Sequence, residues 1–185
     1  MCTKPLKAVC VSLNENGKKK LHFIKDENKN YNYNDEIIYV PCGHCIECRL
    51  EKSRDWANRM YAELQYHKVA TFVTLTYDND HLPYGEKYVD NEGKERRNPT
   101  LIKKDAQTFI RSLRDYIGHN NRISYYLCGE YGDRTFRPHF HAIIFGYWDY
   151  AAIPWNKVDN FSAQTYISPE LMKIWKKGNV ICSSL

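Results

Sequence analysis

The sequence contains no apolar run long enough to cross a membrane, and its opening "MCTKPLKAVC" lacks the apolar core of a secretion signal. Both absences speak against membrane insertion and export, so an intracellular chain is expected. Internal repeats are also missing, which argues against a solenoid or propeller. Neither sign of charge dominates: 27 Lys and Arg face 22 Asp and Glu, for a formal net charge of +5. What is present fits a folded protein. Apolar residues make up 43% and charged residues 26% of 185 positions, enough for one domain with a real core and a small appendage. The seven cysteines would stay reduced inside a cell, so clustered ones become candidate metal ligands. A modest basic excess with 15 tyrosines and four tryptophans suits single-stranded nucleic acid, which offers phosphates to cations and flat bases to rings.

The first forty residues are polar, broken by the β-like runs "LHFI" and "EIIYV". From Ile46 to Leu64, the residues Ile46, Leu50, Ala57, Met60, Tyr61 and Leu64 recur at three- and four-residue steps, which predicts a helix burying that stripe. Its other face carries Arg49, Lys52, Arg54 and Arg59. "VATFVTLTY" (Val69 to Tyr77) is β-branched and aromatic and reads as a central strand. The long Gly/Pro-punctuated stretch after it reads as a surface excursion able to contact substrate. A second helix follows near Thr100, burying Ala106, Phe109, Ile110, Leu113 and Ile117. "ISYYLCGE" and "HFHAIIFG" read as strands whose short connection implies antiparallel pairing. "SPELMKIWKK" predicts a last helix with Ser168 as N-cap and Pro169 at its first position, and a further strand begins near Gly178. The order describes an α+β fold, an antiparallel sheet with helices packed on one face.

Side chains alternate along a strand, so His139 and His141 share one face while Phe140 points to the other, toward the helices. Two imidazoles so placed can converge on one divalent ion. "CGEYG" on the neighbouring strand brings Glu130 to the same end of the sheet as a third ligand, leaving coordination positions open. The plainer alternative is a pair of half-exposed surface histidines; Glu130 across the hairpin weighs toward metal. "CGHCIEC" sets Cys42, Cys45 and Cys48 at intervals of three, with Cys45 and Cys48 one turn apart at a helix start, where the dipole favours thiolates. Three thiolates leave a tetrahedral zinc one ligand short, and an iron–sulfur cluster or simple reduced thiols are the alternatives. Cys128 and Cys182 read as core thiols.

"RPHFHAIIFG" resembles the His-hydrophobic-His motif of the HUH endonucleases, single-strand nicking enzymes of rolling-circle replication, and "TFVTLTYDNDHLP" resembles their first motif. "PCGHCIECRLEKSRDWANRM", with "CGEYG" and "RPHFH", resembles the replication initiators of gokushovirus-type microviruses, small single-stranded DNA phages. The likeness runs from the first residues to about Gly178. It implies an HUH, ferredoxin-like core over 69–185 and a small zinc-binding element within 1–68. It also implies Mg²⁺ or Mn²⁺ at His139, His141 and Glu130, single-stranded origin DNA as substrate, host replication machinery as partner, and the cytoplasm of an infected bacterium as location. In the implied reaction a tyrosine attacks the scissile phosphate, leaving a 5′-phosphotyrosine and a free 3′-hydroxyl.

The same resemblance supplies Cys2 as the fourth zinc ligand, since such initiators begin with a cysteine before an "xxPL"-like segment; Cys10 and His44 are the other possibilities, and His44 stands where glutamine is expected. Arg49, Lys52, Arg59, Arg134 and Arg137 are the expected DNA contacts. The nucleophile departs from the pattern. Its helix is expected after the strand at Gly178, so the catalytic tyrosine is expected beyond Leu185 in a truncated or shortened homologue. Tyr147 and Tyr150 lie too close to the histidine strand, and Tyr166 is a weak candidate. The alternative function is a zinc-stabilised single-stranded DNA-binding module without nuclease activity.

Overall fold

The computed structural model describes residues 2–24, 37–118, 120–155 and 164–185. These residues form two compact units, Met1–Met60 and Tyr61–Leu185. The division falls inside the first helix, not after residue 68.

In the first unit, β1 (Leu6–Leu13) pairs antiparallel with β2 (Lys19–Phe23) on one side and with β3 (Ile37–Val40) on the other. The β1–β2 turn closes because the Asn14 side chain accepts from the backbone of Asn16 and Lys18 while Gly17 takes φ +72°. Ala8 and Val9 are its buried centre. Helix α1 (Ile46–Leu64) follows with the bounds read from sequence, but its expected buried stripe is solvent-exposed: Ile46 is 70%, Leu50 54% and Tyr61 70% accessible, and within α1 Cys48 is the buried residue. The physical reason is that the first unit has little apolar surface to offer such a stripe. Among its described residues, the buried apolar side chains are Ala8, Val9 and Cys48.

The second unit is built on a six-stranded antiparallel sheet in the order β7-β8-β4-β11-β10-β9. Its strands are β4 (Ala70–Tyr77), β7 (Ser124–Tyr131), β8 (Pro138–Phe145), β9 (Ile153–Pro154), β10 (Tyr166–Ile167) and β11 (Gly178–Ser184). The excursion after β4 folds a small hairpin of β5 (Tyr88–Val89) and β6 (Glu95–Arg96). As the period-2 pattern of "TFVTLTY" requires, β4 is interior, with Val73, Leu75 and Tyr77 on one face. That face, continued by Phe140, Ala142, Ile144, Val180 and Cys182, is covered by α2 (Lys103–Ile117) and α3 (Pro169–Trp175). Leu75, Leu113 and Leu171 are fully buried there, each stabilising by about 1.5–3 kcal/mol. Trp175 packs against Tyr77, Phe109 and Phe140 and donates its indole N–H to the Thr76 carbonyl at 3.2 Å.

Ser168 caps α3 by accepting from the Leu171 N–H at 3.0 Å and donates to Asp149, so a buried carboxylate fixes the cap. Gly178 opens β11 opposite Tyr77 at φ +142°, and a Cβ there would lie 2.3 Å from the Thr76 carbonyl oxygen. Only glycine lets β11 join β4 at that point. The protein is therefore α+β with antiparallel sheets and three helices among the described residues.

Candidate functional site

The register explains how the sheet gathers the histidines. β8 pairs with β7 so that Glu130 faces His139 and Cys128 faces His141, and with β4 so that Thr76 faces His139 and Thr74 faces His141. Paired residues share a face, and Phe140 between the histidines is buried against the helices. The face that α2 and α3 leave uncovered thus carries Glu130, His139 and His141 together. Cys128 lies on it too and is exposed, which corrects its assignment as a core thiol; Cys182, one parity away, is buried. "YYLCGE" is apolar enough to suggest burial, but alternation sends this residue to the open side.

Glu130 Oε2 lies 3.3 Å from His141 Nε2 and 3.9 Å from His139 Nε2. Cis ligands at about 2.1 Å from an octahedral ion are about 3.0 Å apart, so small side-chain adjustments would close this set on a cation. The other ring nitrogens are engaged. His139 Nδ1–H donates to the Arg137 carbonyl at 3.1 Å, which leaves Nε2 with its lone pair toward Glu130, and the Thr74 hydroxyl is 3.1 Å from His141 Nδ1. Such outer partners fix the orientation of metal-binding imidazoles. Phe72 stacks on His141 with centroids 5.4 Å apart. Burial and the neighbouring His139 hold the His141 pKa below the usual imidazole value, against the pull of Glu130, so the ring is neutral and able to ligate at pH 7.

The first unit holds the second cluster. The thiols of Cys2, Cys42, Cys45 and Cys48 lie within 4.8 Å of one another. Cys2 and Cys45 are 3.8 Å apart, matching the edge of a tetrahedron with metal–sulfur bonds of about 2.3 Å. Gly43 at φ +76° makes the turn from which the N–H groups of His44 and Cys45 donate to Cys42 sulfur, at 3.4 and 3.3 Å; the Cys42 N–H donates to Cys2 at 3.3 Å. The fourth position therefore goes to Cys2. Cys10 instead contacts the Ser12 carbonyl on β1, and His44 takes part through its backbone.

N–H groups of Cys48 and Thr3 lower the Cys45 pKa to about 6. The Gly43 N–H pulls Cys48 down, yet burial and the three surrounding thiols together raise it to about 12. Four thiols cannot all ionise side by side without a cation among them. The described residues thus contain two groups able to hold a metal, one of four thiols and one of two imidazoles and a carboxylate.

The remaining predicted residues are spread out. Arg49, Lys52 and Arg59 are exposed on α1, with Arg59 over the Trp56 ring at 5.2 Å. Arg134 is exposed on the β7–β8 turn. Arg137 is half-buried and donates to the Tyr77 carbonyl, at 3.0 and 2.8 Å, and to Asn79 at 3.0 Å, tying the histidine strand to the end of β4. Tyr166 faces Cys182 across β10 and β11, which puts it on the helix-covered side, three strands from β8, against Trp148. Tyr147 and Tyr150 follow the far end of β8; Tyr147 packs on the core and Tyr150 is 85% exposed. None of these three tyrosines lies on the histidine face. Thr74, Thr76 and Phe72 were missed by sequence reasoning, although the alternating "TFVTLTY" carries them on one parity.

The family of replication-associated proteins of the ORF2 type matches residues 70–185, which contain the whole Glu–His–His group. The chain is 32% identical over 161 residues to "Replication-associated protein ORF2" of Spiroplasma virus 4, covering 83% of this chain and 45% of that protein. It is 30% identical to "Replication-associated protein VP4" of Bdellovibrio phage phiMH2K, with 86% and 52% covered, and 30% identical to "Replication-associated protein ORF4" of Chlamydia phage 1, with 76% and 33% covered. The chain thus spans between a third and about half the length of these relatives. No solved structure matches. No helix among the described residues is long and apolar enough to cross a membrane.

Proposed function

Because the chain belongs to the ORF2-type family of replication-associated proteins, we propose that it serves phage DNA replication as the metal- and DNA-binding part of an HUH-type rolling-circle initiator. The observation that carries this reading is the convergence of His139 Nε2, His141 Nε2 and Glu130 on an uncovered sheet face. A divalent ion such as Mn²⁺ or Mg²⁺ held there would polarise the scissile phosphate of single-stranded origin DNA. The chain's own residues do the positioning. The Arg137 carbonyl and Thr74 hydroxyl set the two rings, Phe72 backs one of them, and Glu130, more than half exposed, stays adjustable. Arg49, Lys52, Arg59 and Arg134 offer cations to the DNA backbone, while Arg137 serves mainly to hold β8 to β4. Zinc at the four cysteines supports the first unit, and the protein works in the cytoplasm of an infected bacterium beside host replication proteins.

The full reaction needs a tyrosine hydroxyl in line with the phosphate. The placement of Tyr147, Tyr150 and Tyr166 away from the histidine face favours a chain that binds single strands without becoming joined to them. The expected outcome with Mn²⁺ and labelled single strands containing the origin is salt-sensitive binding and no denaturation-resistant protein–DNA adduct. An adduct that Tyr166→Phe or Tyr147→Phe removes would show that these residues already form a complete nicking enzyme. Absence of any single-strand binding would refute the DNA reading itself.

A further inference from the structure

At the end of the sheet that carries Glu130 and His139, the excursion between β4 and α2 and the turn between β7 and β8 enclose a groove of ≈ 680 Å³. Its walls are aromatic. Tyr88, Tyr131 and Phe136 line it and are 44%, 43% and 68% exposed, a concentration of bare rings that solubility alone does not favour. Two of them are tethered at the hydroxyl: Tyr88 donates to Asn98 Oδ1 at 3.1 Å, and Tyr131 accepts from the Leu101 N–H at 3.2 Å. Their rings line the groove already fixed, which lowers the entropic cost of stacking a ligand.

Phe136 is held differently. It sits at φ +50°, a region bulky side chains rarely adopt, and its N–H donates to the Gly132 carbonyl at 2.8 Å while the Gly132 N–H donates to the Arg137 carbonyl at 3.1 Å. The turn thus keeps an apolar ring in water at a backbone position where glycine or asparagine would be easier. Burial gives no reason for this; presentation of the ring to a ligand does.

The groove also has a charge pattern. Glu86 lines it and can accept from an exocyclic amine, while exposed Arg97 and Arg134 flank lining residues Asn98 and Thr135 in the chain, where they suit a phosphate backbone. It is continuous with the histidine site. A Cβ built on Gly132 would stand 3.9 Å from His139 Cε1 and 3.8 Å from Thr135 Oγ1, so the same turn touches both.

We propose that this groove stacks one unpaired base of single-stranded DNA, next to the nucleotide presented to Glu130, His139 and His141. The inference rests on the single-strand reading above and adds the residues that hold a base. Stacking on fixed rings tolerates any base, and Glu86 would tilt the preference toward bases with an amino group.

The test uses the 185-residue chain and short oligonucleotides carrying 2-aminopurine, alongside strands of equal length with abasic positions. Quenching of 2-aminopurine on binding is expected at one or two positions. Phe136→Ala and Tyr88→Ala should each weaken binding by about 5–50-fold, and abasic strands should bind correspondingly worse. Manganese broadening of the His139 and His141 imidazole signals should be unchanged in both variants, showing that the histidine site is intact. If both variants bind as tightly as wild type, or the probe stays bright at every position, the groove is not a base site even though the chain binds DNA. If wild type binds no single strand at all, the groove and the DNA reading fail together.

Discussion

The two metal-type clusters solve opposite problems with similar economy of sequence. The cysteine cluster draws its ligands from the start of the chain and one tight turn, "CGHCIEC", and its four thiols fill a tetrahedron, with backbone N–H groups of His44 and Cys45 pointing at sulfur. The histidine cluster draws its ligands from two strands of a flat sheet, supplies three, and leaves one side to solvent. A set with every position taken by protein can only hold structure together, whereas a set with open positions can bind something else. The contrast separates a residue pattern that staples a small unit from one that presents a reactive surface.

The largest expected effect is on the closed cluster. Protein purified without added metal is expected to carry about one zinc per chain, and Cys45→Ser to carry none, with faster amide exchange in β1–β3. Elemental analysis with amide exchange checks this; a metal-free wild type whose four thiols all titrate freely would dissolve the comparison. Next comes the open cluster. His141→Ala should abolish Mn²⁺ broadening of the His139 ring and lower Mn²⁺ affinity at least about tenfold, while zinc content stays at one per chain. Loss of zinc in that variant would mean that the two groups are not independent.

The smallest effect, and the finest discriminator, is pH. Cys48, raised to about 12, must surrender a proton to bind metal at pH 7, so zinc affinity should climb as pH rises from about 7 to 9. His141, held below the usual imidazole range by burial and by His139, is already neutral there. Mn²⁺ affinity should therefore be flat above about pH 7 and fall only as acid protonates the ring, below about 6.5. Calorimetry in buffers of different ionisation enthalpy reads both proton counts.

Periodicity carried much of this into the sequence. The bounds of α1, the Ser168–Pro169 start of α3 and the outward face of His139 and His141 all follow from spacing and capping chemistry. What spacing could not carry was which surface each pattern meets. The α1 stripe has helical period yet stays exposed, because periodicity reports a face and not its occupant. Cys128 looked buried because its neighbours are apolar, and only the register against His141 shows otherwise. Thr74 became a partner of His141 through a pairing 67 residues distant in sequence. β1 escaped notice since "LKAVCVSL" buries two residues and alternates poorly. The three short strands at the sheet edge and in the excursion, two residues each among β5, β6 and β9, are too brief for any period to show. The aromatic groove depends on the φ +50° of Phe136, a conformation its residue type argues against.

The glycine at position 178 has a consequence for inheritance. Its absent side chain would have to occupy space already taken by the Thr76 carbonyl and the Asp78 amide, both main-chain groups that cannot rotate away. Every glycine codon begins with two guanines, and any change in either letter writes a side chain or a stop. In a phage population copied with errors, that codon is therefore free to drift only in its third letter, and a library randomised at Gly178 should return glycine alone among folded survivors.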